Sequence, residues 1–184
     1  GESAHGQPPA SPARPTMTER AAPAQSRTAS PSRAASPTPS PSRTTPGPAK
    51  TTGNSDVEDE VVRLANRERA DAGCRPLASE GRLHQAALAH ARDMARRNFF
   101  DHTNPDGEDA GDRIDRTGYA WRGWGENIAA GQQSAEDVMR SWMNSQGHRD
   151  NILNCGYAEI GVAMVTDDDG RSPLWVQVFA TPAD

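Results

Sequence analysis

The residues with the most chemistry to offer are two cysteines, five histidines and a serine placed three residues before one of those histidines. Cys74 and Cys155 lack CxxC spacing, which argues against a zinc–thiolate site. Two cysteines behind a Pro/Ser/Thr-rich leader more often pair than stay free, and two reduced buried thiols are the alternative. A bond between them closes a loop of about eighty residues and contributes roughly 3–5 kcal/mol on the loop-entropy model. His84 and His90 fall about 240° apart around one helix, so they are not a helical metal pair. His90 reads as a satisfied packing residue, His84 as a surface residue, and His5 lies in the leader. Ser145 and His148, at i and i+3, share one side of a helical turn. A serine beside a histidine base is the arrangement a hydrolase needs. Against it, Gly147 stands between the two, and no GxSxG elbow, SxxK motif or oxyanion loop is present. The run Asp167-Asp168-Asp169-Gly170 lacks the alternating ligands and distant Glu of a calcium-binding loop.

Elements must hold these groups in place, and the pattern supplies them. Ser55 followed by Glu58 predicts a capped helix start. Val57, Val61, Leu64 and Ala65 continue it with a helical period, and Gly73 stops it. A second helix spans about 79 to 98, with Leu83, Ala87, Ala91 and Met94 on one face. Its many alanines permit close packing against a neighbour. Asn104-Pro105-Asp106-Gly107 is a turn. "DAGDRIDRTG" predicts a short helix ended by Gly118, and "WRGWGENIAAG" a short strand or irregular loop. Ser134 and Asp137 open another capped helix, which Gly147 interrupts before "HRDNIL" adds a further turn. "AEIGVAMVT" and "LWVQVFATP" alternate as strands and form a hairpin with a long polar tip. The mixture reads as an α+β sandwich.

The material is not uniform along the chain. Residues 1–53 hold eleven of the fifteen prolines and no aromatic residue, while residues 54–184 hold every Trp, Tyr, Phe and Cys. The first stretch cannot bury enough apolar surface to offset its ordering entropy, and it reads as a disordered, extended stalk. The remainder is one domain of usual size. The stalk carries six basic and two acidic residues, the domain fourteen basic and twenty-three acidic. An acidic domain offers no nucleic-acid footprint. The basic stalk suits contact with an anionic cell-wall or lipid surface, and a solubilising spacer is the plainer reading. No apolar run reaches the roughly eighteen residues of a membrane span. With its stalk and cysteines, the chain reads as secreted or extracytoplasmic, with surface attachment through a segment before Gly1.

Five motifs then appear in order: "FFDHTNPDG" (99–107), "GENIAAG" (125–131), "SWMNSQGHRDNIL" (141–153), "EIGVA" (159–163) and "WVQVFA" (175–180). Together they resemble the CAP superfamily (cysteine-rich secretory proteins, antigen five, pathogenesis-related proteins; SCP domains), most closely its bacterial secreted branch, over residues 55–181. The resemblance implies a three-layer α-β-α sandwich around a central, mainly antiparallel sheet. It also implies a cleft with two histidines and two acidic residues. Carried onto this chain, these are His102, Glu126 and His148, with Ser145 where the second acidic residue stands.

A serine brings no charge, so the departure weakens the case for tight divalent-metal binding. His102 and His148 are forty-six residues apart, and only folding can bring them together. Facing one cavity, they would hold zinc weakly and in a pH-sensitive way. Glu126 would orient an imidazole or act on bound water. A network that merely braces the loops weighs equally. Trp121 and Trp124 flank the "GEN" motif, where core packing is the better reading than cleft lining, and Asn127 and Asn151 read as residues that pin backbone. The leading expectation is a monomeric, non-enzymatic binding module for a small molecule or lipid. The rival is a metal-dependent or serine hydrolase of peptides or wall components, using Ser145, His148 and Glu126.

Overall fold

A computed structural model describes residues 20–21, 25–28, 54–166 and 172–184 of the 184-residue chain. In chain order the elements are β1 (Arg20–Ala21), β2 (Gln25–Thr28), α1 (Asn54–Asp71), β3 (Ala78–Ser79), α2 (Gly81–Arg97), α3 (Ala110–Arg116), β4 (Trp121–Ala130), α4 (Ala135–Met143), α5 (Gln146–Ile152), β5 (Glu159–Thr166) and β6 (Pro173–Pro182). The sheet runs β1-β4-β6-β5-β3, with β2 also on β4. Among the described residues only the β3–β5 pairing is parallel.

Period-two alternation in the central strands creates two cores rather than one. Val176, Val178 and Ala180 of β6 join Trp124 and Ile128 of β4 beneath Leu83, Ala87, Ala91 and Met94 of α2 and Ile114 of α3. Trp175 and Phe179 of β6 face the other way, with Ile160 and Val162 of β5. There they meet Val61 and Ala65 of α1, Val138 and Trp142 of α4, and Ile152 of α5. Both faces of the sheet are covered, which is the expected three-layer α+β sandwich. A strand buried on both faces has no polar side, and "LWVQVF" accordingly carries apolar residues at both parities.

Local signals mostly hold. Ser134 Oγ accepts from the Asp137 N–H at the start of α4, and Gly73 and Gly118 take the positive φ that ends their helices. Three differ. Glu58 does not cap α1; its carboxylate is nearly buried, accepts from the Met164 N–H of β5 and pairs with His84. Gly147 lies inside α5, and the break between α4 and α5 falls at Asn144–Ser145. "WRGWGENIAA" is a full ten-residue strand.

Within residues 1–53, whose composition predicts a disordered stalk, 20–21 and 25–28 pair antiparallel with β4. The others of that stretch, and the hairpin tip 167–171, lie outside the described residues.

Cys74 and Cys155 form the disulfide. Beside it, Arg69 of α1 is fully buried and donates to the carbonyls of Arg75, Ile152, Asn154 and Tyr157. One guanidinium thereby ties the two segments that the disulfide joins. Its position one helical step beyond Val61 and Ala65 on the buried face of α1 is its only trace in the sequence.

Candidate functional site

The site is assembled on β4, where two consecutive residues point to opposite faces of the sheet. Glu126 is in register with Val178, on the α2 side; Asn127 is in register with Gln177, on the α1 side. Each gathers its own cluster.

On the α2 side, Glu126 is completely buried, and both carboxylate oxygens accept hydrogen bonds. Oε1 takes His102 Nδ1–H at 2.6 Å, and Oε2 takes the Arg113 guanidinium at 2.8 Å. Arg113 comes from α3, whose capping box joins Asp109 and Asp112. The loop that carries His102 is fixed at both ends. Asn104 Oδ1 accepts from the Asp106 and Glu108 N–H groups. Upstream, His90 of α2 donates Nε2–H to the Asp101 carbonyl at 2.8 Å. That bond leaves His90 Nδ1 as a buried acceptor without a partner, so His90 is only half satisfied.

These contacts set the electrostatics. Burial alone would raise the Glu126 pKa; the positive charge available from His90, the His102 hydrogen bond and Arg113 outweigh it and hold the carboxyl at about 2. Burial pushes His90 below its ordinary value. His90 is therefore neutral at neutral pH, and Arg113 is the charge that keeps Glu126 ionised there. The His102–Glu126 bond also fixes Nδ1 as the protonated nitrogen of neutral His102, so only Nε2 is an acceptor or ligand atom.

A pH dependence follows. Both groups have folded pKa values below their unfolded ones, so both stabilise at high pH and lose that contribution as pH falls. His90 starts the loss below its unfolded value of 6.5. Glu126 continues it between 4.5 and about 2, for a total of roughly 3 kcal/mol. Thermal midpoints measured from pH 8 to 3 will decline in two stages, and His90→Phe will flatten the upper stage alone. A midpoint that stays level down to pH 4.5 in the parent protein contradicts this.

On the α1 side, His148 Nδ1 shares a 2.7 Å hydrogen bond with Ser145 Oγ. Ser145 is the residue before α5 but makes no side-chain cap; its hydroxyl serves the imidazole instead. Asn127 Nδ2 donates to the His148 carbonyl and to Gln177 Oε1. Asn151 Nδ2 donates to Asn127 Oδ1 and to the Glu126 carbonyl. Asn127 and Asn151 thus pin backbone, as expected. Trp124 is core at 1% exposure.

The four residues singled out from sequence therefore form two pairs, His102 with Glu126 and Ser145 with His148, linked at β4 through Asn127 and Asn151. Nδ1 of each ring is engaged, by Glu126 in His102 and by Ser145 in His148, and Glu126 itself is committed to His102 and Arg113. Among the described residues no three His, Cys, Asp or Glu side chains are grouped so as to hold a metal ion.

The residues missed in sequence are Arg113, His90 and Gln177. Arg113 had a signal. It shares the buried face of α3 with Ala110 and Ile114, and an arginine on an apolar helix face wants a partner.

The model of the cysteine-rich secretory protein family, CAP, matches residues 62–179. This chain belongs to the CAP family. The CAP domain is 40% identical over 125 residues to the uncharacterised protein YkwD of Bacillus subtilis (strain 168), covering 68% of this chain and 47% of YkwD. Among solved structures it resembles an extracellular SCP-domain protein of Bacillus anthracis str. Ames, with TM-score 0.65 and 28% identity over 70% of this chain and 41% of that one. A cysteine-rich secretory protein of Staphylococcus aureus subsp. aureus Mu50 shares the fold, with TM-score 0.58, 22% identity and coverage of 71% and 40%. The chain spans less than half the length of each of these relatives. No described helix is long and apolar enough to cross a membrane.

Proposed function

We propose that this CAP domain is an extracytoplasmic, monomeric binding module, with a polar cleft at β4 bounded by His102, Glu126, Ser145 and His148. The observation that carries the reading is the state of Glu126. Buried, doubly paired and ionised with a pKa of about 2, it is a fixed charge that orients His102, not a proton acceptor near neutral pH. The ligand is a small polar molecule or the polar end of a lipid. Zinc is a weak alternative occupant through two imidazoles, because the Arg113 charge next to Glu126 opposes a dication. An extracellular setting is supported by the disulfide and by the described extracellular character of the B. anthracis relative. The basic residues preceding the domain favour contact with a wall polymer.

One observation favours the hydrolase alternative: Ser145 and His148 stand at the distance of a nucleophile and its base. Glu126, the expected orienting acid, is instead bound to His102 and Arg113.

Calorimetric titration with zinc, alongside peptide and muropeptide turnover assays, separates the readings. We expect weak zinc binding at pH 8 that drops by about tenfold or more in His148→Ala and again at pH 5.5. No turnover is expected. A measured hydrolysis that disappears in Ser145→Ala at unchanged thermal midpoint overturns the binding reading.

A further inference from the structure

Glu126 and Asn127 point to opposite faces of β4, and the contacts that link their two clusters through Asn151 gather at the outer edge of that strand. That edge is occupied by a piece of the chain far away in sequence. Gln25, Ser26, Arg27 and Thr28 of β2 pair with Glu126, Gly125, Trp124 and Gly123. Gln25 therefore sits opposite the carboxylate-bearing residue of the site. The Gln25 carbonyl accepts from Asn151, the residue that also holds the Glu126 carbonyl.

The attachment of β2 is thin. Three of its four residues are exposed. None of the four contributes to either apolar core. Arg27 reaches Asp109 at 3.4 Å, but its side chain is 51% exposed, and such pairs stabilise little. The Asn151 contact to Gln25 is long, at 3.4 Å. Gln25 Oε1 is buried without a hydrogen-bond partner, a cost that docking of this strand incurs. A groove of about 420 Å³ runs along its flank, lined by Ser26, Arg27, Thr28, Gly123, Tyr157 and Thr181, so the strand is packed on one side only. Ser26 adds a side-chain hydrogen bond to Tyr157; the rest is main-chain pairing, and main-chain pairing is indifferent to which polypeptide supplies it.

Beneath it, β4 is built for close approach. Gly123 puts no side chain against Thr28, and a Cβ on Gly125 would fall 2.7 Å from the Tyr157 hydroxyl and 2.8 Å from Asn151 Oδ1. A bare strand edge beside a functional cleft is a template for strand addition.

We propose that the outer edge of β4 is a binding site for an extended peptide, and that Gln25–Thr28 is a releasable placeholder that occupies it in cis. The incoming peptide is polar, extended and basic at the Arg27 position, where Asp109 waits. Its arrival removes β2 from the junction of the two half-sites and leaves the edge next to Glu126 covered by the partner strand. This is a different ligand class from the one assigned to the imidazoles, and it is read at different atoms.

The test uses the full chain. Amide hydrogen exchange resolved by NMR will show the β4 N–H groups that point toward β2 exchanging about a hundredfold faster than those that point toward β6, because only local release of β2 is needed. Ser26→Pro/Arg27→Pro removes a backbone donor of each parity from β2. This variant should keep its thermal midpoint within about 2 °C of the parent. It should also bind a fluorescent peptide spanning residues 20–28 at least tenfold more tightly than the parent does. An exchange-linked dimer of the parent chain also supports the proposal, with a second copy as donor. Equal protection of the two sets of β4 amides overturns it, since β2 is then an integral strand. Absence of peptide binding to both proteins overturns it as well. Neither outcome bears on zinc binding at His148, so the two proposals fail separately.

Discussion

Gly161→Ala will lower the unfolding free energy by about 3 kcal/mol or more, among the largest effects of any single methyl group added to this domain. Gly161 lies in β5 on the face that meets α2. A Cβ there would stand 2.2 Å from the His84 nitrogen, 2.3 Å from the Leu83 carbonyl carbon and 2.6 Å from the Leu83 oxygen. All three are backbone atoms of a helix whose turns are hydrogen-bonded, so no side chain can swing away to make room. Either α2 lifts from the sheet, losing contacts of Leu83, Ala87 and Ala91, or the strand bends. Gly81→Ala is the control: it opens α2, nothing lies within 4 Å of its Cβ, and the change should be neutral or mildly stabilising. Urea denaturation of the two variants decides the matter. A loss below 1 kcal/mol for Gly161→Ala would show that the helix-to-sheet spacing is softer than described.

The second large effect concerns charge. Arg113→Met removes the guanidinium that faces Glu126 and leaves a completely buried carboxylate with His102 as its remaining side-chain donor among the described residues. Breaking such a pair from one side costs about 3–5 kcal/mol, whereas removing both charges costs far less. Glu126→Gln in the parent background should be destabilising, because Arg113 is then the uncompensated ion. In the Arg113→Met background the same change should recover much of the loss. A double-mutant cycle by chemical denaturation measures this coupling, and additive effects would mean that the two side chains do not depend on each other. NMR titration of the remaining histidines adds a functional readout. With Arg113 gone, the Glu126 pKa rises from about 2 toward its ordinary value, and the His102 Nδ1–H···carboxylate bond is lost at a higher pH than in the parent.

Much of the fold can be read locally. The helices around Leu83–Met94 and after Ser134 announce themselves through period and cap, and the β5–β6 hairpin through alternation. Ordered short motifs were enough to point to the CAP family, and thence to His102, Glu126, Ser145 and His148. The errors have physical causes. Glu58 looks like a cap because a carboxylate three residues after a serine has the right spacing, yet the Met164 N–H and His84 compete for it more effectively. Gly147 looks like a breaker because glycine has low helix propensity; tertiary packing of His148 and Ile152 outweighs that weak preference. Gln25–Thr28 carries no apolar pattern, so nothing in its composition marks it as a strand. An open sheet edge pairs through backbone groups that every residue has.

Local pattern is enough to say where the helices and hairpin run, that two cysteines can pair and which family the chain joins, because these depend on neighbours within a few positions or on an ordered set of motifs. Folding alone brings Arg113 against Glu126, lets His90 brace the His102 loop through the Asp101 carbonyl, links the two histidine pairs at one strand, and lays a distant tetrapeptide along its edge. Those relations join residues 11 to 126 positions apart. Their energies arise from burial and desolvation, which exist only once the chain has closed around them.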